Sequence, residues 1–158
     1  MERCLLCEPE QNRVLGDTGR VYAIYSLWPV SDYHALLVPK KHHDNESTLT
    51  SEENDELLQL RRALVGVIGE KFKMNAYNFG ANVGVEAGQT SPHLHYHVIF
   101  RVPDDKGDST GGVRAVIPSK SDPGLHENNG IDKVSKWTEE TKMDLQTSLH
   151  RAGMKVPT

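Results

Sequence analysis

His93-Leu94-His95-Tyr96-His97-Val98-Ile99-Phe100 is the stretch whose reading decides most about this chain. In an extended segment side chains alternate between two faces. The three imidazoles then share one side, and Leu94, Tyr96 and Val98 take the other, where they can enter a core. A lone strand histidine is ordinary filler, but three in strict alternation are not. Such a row can ligate a metal, attack a phosphorus centre, or divide both tasks.

Working outward, Tyr77 to Val83 also alternates. Tyr77, Phe79, Ala81 and Val83 face one way; Asn78, Gly80 and Asn82 face the other. With a turn over Gly84 to Thr90, this predicts an antiparallel hairpin whose second arm runs from His93 to about Val102. Further upstream, Val21 to Tyr25 and His34 to Val38 read as strands, closed by Trp28-Pro29 and by Pro39. Thr50-Ser51-Glu52-Glu53 is a capping-box signal. It opens a helix to about Phe72, with Leu57, Leu60, Leu64, Val67 and Ile68 at helical spacing and Leu58 and Val65 widening the stripe. Residues 103–130 are rich in Gly, Asp, Ser, Asn and Pro and predict a long loop, with Gly111 to Pro118 as a compact segment inside it. Residues 131–152 predict a C-terminal helix carrying Ile131, Val134, Trp137, Leu145 and Leu149.

The 158 residues suffice for one domain, expected over 1–158 with a core from about 4 to 102. A charged fraction of 25% beside 37% hydrophobic residues fits a globular chain rather than a disordered one. A net charge of −4 argues against duplex nucleic acid as a partner, because that needs a basic face. No apolar run approaches the roughly 20 residues that span a bilayer, and the first residues lack a signal-peptide core. The expectation is a cytoplasmic protein with reduced cysteines.

Gly88-Gln89-Thr90-Ser91 lies directly before the triplet. A glycine turn with exposed N–H groups, an amide and hydroxyls suits phosphate oxygens, although it is also ordinary turn composition. Cys4-x-x-Cys7 has the spacing of half a zinc site. With only two cysteines in the chain, the other ligands must be histidine or carboxylate. Cys4, Cys7, His42 and His93 would make a closed Cys2His2 set, with His43 next to His42. The plain alternative is a pair of reduced, buried cysteines.

At these residues the chain resembles the histidine triad (HIT) family. His93-Leu94-His95-Tyr96-His97-Val98-Ile99 matches its His-φ-His-φ-His-φ-φ pattern, where φ is apolar. Ala87-Gly88-Gln89-Thr90, Asn82 to Glu86 and His34-Ala35-Leu36-Leu37-Val38-Pro39-Lys40-Lys41-His42 are similar to the family's flanking segments. The resemblance implies an α+β fold: an antiparallel sheet, one main helix and a C-terminal helix. It implies a homodimer that binds nucleotides and acts at their α-phosphate. By this resemblance His95 is the nucleophile, His97 contacts the phosphate and His34 supports the triad. Asn82, Gln89 and Thr90 match phosphate-contacting positions, and Ser26 stands where many members carry Asp or Asn for the ribose. Cys4, Cys7, His42 and His93 match the ligands of a structural zinc, which selects His42 over His43. Asp32-Tyr33 and Phe100 depart from the residues common in the family at those places.

The resulting expectation is a nucleotidyl hydrolase acting on dinucleoside polyphosphates such as diadenosine tetraphosphate through a nucleotidyl-histidine. No catalytic metal is required, and Arg114 is a candidate to close over the phosphates. The rivals are hydrolysis of nucleoside phosphoramidates or aminoacyl adenylates, phosphorolysis, a purine-nucleotide-binding module without catalysis, and a metal protein with the triplet as its principal site.

Overall fold

The computed structural model describes residues 4–103, 105, 112–113 and 138–151. Strands β1 (Val14–Asp17), β2 (Val21–Tyr25) and β3 (His34–Pro39) come first. Helix α1 (Ser51–Phe72), strands β4 (Ala76–Gly80) and β5 (Tyr96–Arg101), and helix α2 (Glu139–Arg151) follow. The strands form one sheet in the order β1-β2-β3-β5-β4, and every neighbouring pair is antiparallel. The architecture is α+β, as expected. Among the described residues no helix is long and apolar enough to cross a membrane.

The two faces of the sheet have different covers. Leu15, Val21, Ala23, Ala35, Leu37, Tyr96, Val98 and Phe100 pack with Leu57, Leu60, Leu64 and Ile68 of α1 and with Leu145 and Leu149 of α2. On the other face Val14, Ile24, Leu36 and Val38 form a smaller cluster under Leu6 and Cys4. Strand β3 is buried along its whole length, which explains why it reads as a continuous apolar run rather than an alternation.

Helix α1 begins where its capping box predicts. Thr50 accepts from the Glu53 N–H, and the Glu53 carboxylate accepts from the Thr50 N–H. Glu53 is itself buried and holds the His43 ring, at 3.1 Å. Burial alone would raise its pKa, but the Thr50 N–H and His43 hold it below the usual carboxylate range. Glu53→Ala therefore removes the carboxylate half of the capping box and leaves the buried His43 Nε2 without its partner. The expected loss is about 2–3 kcal/mol, read as a lowered urea midpoint; a loss below about 0.5 kcal/mol would contradict this account.

Two sequence expectations change, and one strand appears that the sequence did not announce. Val14–Asp17 is a strand without a sequence signal, because it offers only two apolar residues before Gly16. Its reason is tertiary: a Cβ on Gly16 would stand 2.6 Å from Leu149 Cδ1 and 3.4 Å from Leu60 Cδ1, so only glycine lets α2 approach. The strand expected over Tyr77 to Val83 starts at Ala76 and stops at Gly80, opposite His97. Among the described residues its continuation has no ladder partner, because β5 begins at Tyr96. Phe79 and Ala81 pack against the core, whereas Tyr77 and Val83 remain partly exposed. The histidine strand is correspondingly shorter than expected, and only His97 of the triplet lies within the ladder. The predicted C-terminal helix is observed as Glu139–Arg151, with Thr141, Leu145 and Leu149 buried on one face. Ile131, Val134, Trp137, Arg114 and most of the expected loop lie outside the described residues.

Candidate active site and metal centre

Register brings the histidines together. Leu36 pairs with His97 and His34 with Ile99, so His34 and His97 are diagonal neighbours on the face away from the helices. His34 Nε2 and His97 Nδ1 are 2.9 Å apart. The rings of His95 and His97 have centroids 5.1 Å apart and meet nearly edge to face.

The hydrogen-bond partners fix the tautomers. His34 Nδ1 accepts from the Val30 N–H at 3.2 Å, so the proton of neutral His34 sits on Nε2 and is donated to His97 Nδ1. Neutral His97 must then carry its own proton on Nε2. His95 Nδ1 lies 2.8 Å from the His93 carbonyl, which can only accept. In the neutral ring of His95 the proton therefore sits on Nδ1, and the Nε2 lone pair is the one that can attack an electrophile.

Burial, with the neighbouring His97 and His95, pushes the His34 imidazole down to about 3. Burial and His95 push His97 down to about 4. Both rings are neutral near pH 7, as the donor chain requires. Because these folded-state values lie below the unfolded value near 6.5, the unfolded chain binds more protons between the two. Stability is full above about pH 6.5 and falls as pH drops towards 4, by about 1.4 kcal/mol for each unit of depression. Thermal melts from pH 8 to pH 4 should show a lowered midpoint over this window, and His34→Asn should flatten the dependence.

The second cluster gathers Cys4, Cys7, His42 and His93, whose ligand atoms all lie within 4.8 Å of one another. His93 Nδ1 is 3.3 Å from Cys4 Sγ and 3.4 Å from Cys7 Sγ, and His42 Nδ1 is 3.4 Å from Cys7 Sγ. Tetrahedral zinc at about 2.3 Å from sulfur and about 2.0–2.1 Å from nitrogen separates such ligands by about 3.5 Å. The residues present therefore fit the metal. The far ring nitrogens support the same reading. His93 Nε2 donates to the Pro39 carbonyl at 2.7 Å and His42 Nε2 to the Pro92 carbonyl at 2.8 Å, leaving both Nδ1 lone pairs directed at the thiols. Burial, together with Cys4 and Glu8, pushes the Cys7 thiol up to about 11. His43 is buried elsewhere, between Thr48 and Glu53.

The remaining sequence candidates lie around the triplet. Gly84 and Gly88 hold positive φ of 88° and 82°, which shapes the turn before it. Gln89 closes this turn: its Oε1 accepts from the Gly84 N–H at 2.8 Å and its Nε2 reaches the Asp44 carbonyl at 3.4 Å. Thr90 is exposed and Asn82 half-buried. Ser26 is buried, and its hydroxyl accepts from the Trp28 N–H. Sequence reasoning did not find the Val30 N–H or the Pro39 and Pro92 carbonyls, because main-chain groups leave no residue signature.

The HIT domain family model matches residues 8–104. The chain is 34% identical over 93 residues to the asymmetrical bis(5'-nucleosyl)-tetraphosphatase of Schizosaccharomyces pombe, covering 59% of this chain and 51% of that protein. It is 32% identical over 112 residues to an AP-4-A phosphorylase of Mycobacterium tuberculosis, covering 69% and 57%. The chain thus spans little more than half the length of these two relatives. A zinc-bound histidine triad family protein from Mycobacterium smegmatis has the same fold, with a TM-score of 0.62 at 20% identity over 95% of both chains. With the family model matched over more than half of the chain and the histidine triplet near the C-terminal end of the matched segment, this chain belongs to the HIT domain family.

Proposed function

We propose that this protein is a nucleotidyl hydrolase acting at the α-phosphate of dinucleoside polyphosphates such as diadenosine tetraphosphate. The observation that carries this reading is the His95 Nδ1–H bond to the His93 carbonyl, which leaves Nε2 as a neutral nucleophile. The relatives' names, a tetraphosphatase and an AP-4-A phosphorylase, supply the substrate class.

In the proposed reaction His95 Nε2 attacks the α-phosphorus in line, a nitrogen–phosphorus bond forms, and the bond to the bridging oxygen breaks. The leaving polyphosphate departs with the electron pair. The imidazole is now substituted at Nε2 and protonated at Nδ1, so it carries positive charge that the His93 carbonyl stabilises. This makes it a good leaving group when water attacks. His97 offers its Nε2–H to a phosphoryl oxygen, and His34 keeps His97 in that tautomer. Ser26, Asn82, Gln89 and Thr90 are the proposed substrate contacts; Gln89 and Ser26 would exchange their present internal hydrogen bonds for substrate. Zinc held by Cys4, Cys7, His42 and His93 would be structural, because four protein ligands leave no open position.

We take residues 1–158 as one HIT domain in a cytoplasmic homodimer. The exposed edge of β4 is the proposed seam, beside a groove of about 400 Å³ lined in part by Leu49, Leu57, Leu58, Phe79 and Tyr96.

Phosphorolysis is the second reading, favoured by the 32% identical AP-4-A phosphorylase. The same adduct would then be taken by phosphate instead of water. Incubation of diadenosine tetraphosphate with and without phosphate, followed by mass spectrometry, separates the two. AMP with ATP in both arms supports hydrolysis; ADP with ATP in the phosphate arm supports phosphorolysis. Absence of turnover with dinucleotides, but turnover of an adenosine phosphoramidate, would move the substrate class to nitrogen–phosphorus bonds.

A further inference from the structure

We propose that occupancy of the metal centre sets the tautomer of His95, making Cys4, Cys7, His42 and His93 positioning residues for the nucleophile as well as ligands. This deepens the reading above and rests on His95 being the attacking group.

The link is a single peptide unit. His93 contributes its ring to the metal cluster and its carbonyl to His95 Nδ1. That carbonyl shares a planar unit with the Leu94 N–H, which donates to the His43 carbonyl at 2.6 Å. In a trans peptide the C=O and N–H point in opposite directions. Holding Leu94 N–H on His43 therefore aims the His93 carbonyl the other way, at His95. Both ends of this arrangement depend on the cluster. On one side the wholly buried His93 ring is gripped between the two thiols and the Pro39 carbonyl. On the other side the His42 ring bonds the Pro92 carbonyl, directly before His93, while its backbone neighbour His43 holds Leu94. The Cys4–Cys7 turn, the end of β3 and the entrance to β5 thus meet at one point.

A metal bonded to all four ligands makes that junction rigid. Without it the ring nitrogens face thiols, which are weak hydrogen-bond donors, and the His42 ring, whose side chain is 42% exposed, can turn outward. Rotation of the 93–94 peptide plane then removes the acceptor from His95 Nδ1. A neutral imidazole released to water favours the Nε2–H form, in which the attacking lone pair is gone. Metal loss would disable the nucleophile without touching His95, His97 or His34.

The test compares zinc-loaded protein with the same protein after chelation, and with the double variant Cys4→Ser, Cys7→Ser. Long-range imidazole nitrogen–proton NMR reads the His95 tautomer, and the methyl signals of Leu60, Leu64 and Leu145 read the core. The expected result is an intact core, a change of His95 from predominantly Nδ1–H to predominantly Nε2–H, and AMP affinity within about threefold, while kcat falls more than tenfold. Persistence of the Nδ1–H form in zinc-free protein overturns the proposal. So does loss of the core signals on metal removal, since the centre would then hold the whole domain rather than this peptide. The tautomer readout needs no turnover. A zinc-dependent tautomer in a protein inert towards dinucleotides would leave the coupling standing and remove the hydrolase reading instead.

Discussion

Turnover of diadenosine tetraphosphate is expected to fall at least roughly ten-thousand-fold when His95 is replaced by alanine, the scale seen when a covalent nucleophile is removed. The reason is chemical rather than structural. His95 is half-buried and lies outside the β5 ladder, and its ring hydrogen-bonds the His93 carbonyl. Its loss leaves the sheet and the paired Leu94 and Tyr96 in place, so the melting midpoint should move by no more than a few degrees. Mass spectrometry of quenched wild-type protein should show an AMP adduct that the variant lacks. His97→Ala makes a useful contrast. It removes the donor to the phosphoryl oxygen and leaves His34 Nε2–H, already buried, without its partner. Both rate and stability should then fall. A His95→Ala protein that keeps turnover would remove the covalent route and favour a direct attack by water.

The largest stability effect is expected at Gly16, far from the chemistry. A Cβ there would meet Leu149 Cδ1 at 2.6 Å, Leu60 Cδ1 at 3.4 Å and Leu145 Cδ2 at 3.6 Å. All three leucines are fully buried, so none has free space to turn into. Gly16→Val adds two further methyl groups to this contact and cannot be accommodated without moving α2 off β1. Overpacking of this kind costs about 3 kcal/mol, which in a domain of this size lowers the melting midpoint by roughly 10 °C. The change should be accompanied by faster amide exchange in α2. The two ion pairs that also hold this helix, Lys71 with Glu140 and Lys71 with Asp144, cannot compensate. They are largely solvent-screened, and exposed pairs contribute at most about 1 kcal/mol each. A Gly16→Val protein that melts within about 2 °C of wild type would show that α2 does not need the close approach.

The two expected outcomes separate what local patterning encodes from what packing decides. Strands β2 and β3, helix α1 and its cap were legible because their signals are local: an apolar run closed by proline, a helical stripe, and a Thr-x-x-Glu pair. The alternation of Leu94, Tyr96, Val98 and Phe100 was legible for the same reason, and all four are buried in the core under α1. Strand β1 carries no such pattern, since its decisive residue is a glycine whose only function is to have no side chain where Leu149 arrives from the other end of the chain. The end of β4 was misread because alternation persists to Val83 while its ladder partner does not.

The triplet itself divides along the same line. Its residue types and spacing were enough to mark a row of imidazoles near a glycine turn, and the family resemblance assigned them roles. Sequence could not assign a proton to any ring. That depends on which main-chain group lies opposite each nitrogen: the Val30 N–H for His34, the His93 carbonyl for His95, the Pro39 carbonyl for His93. Those groups are identical along every chain, so only the folded register selects among them. The chemistry-bearing side chains of this protein were determined by its sequence, and the direction in which each of them donates or accepts was decided by tertiary structure.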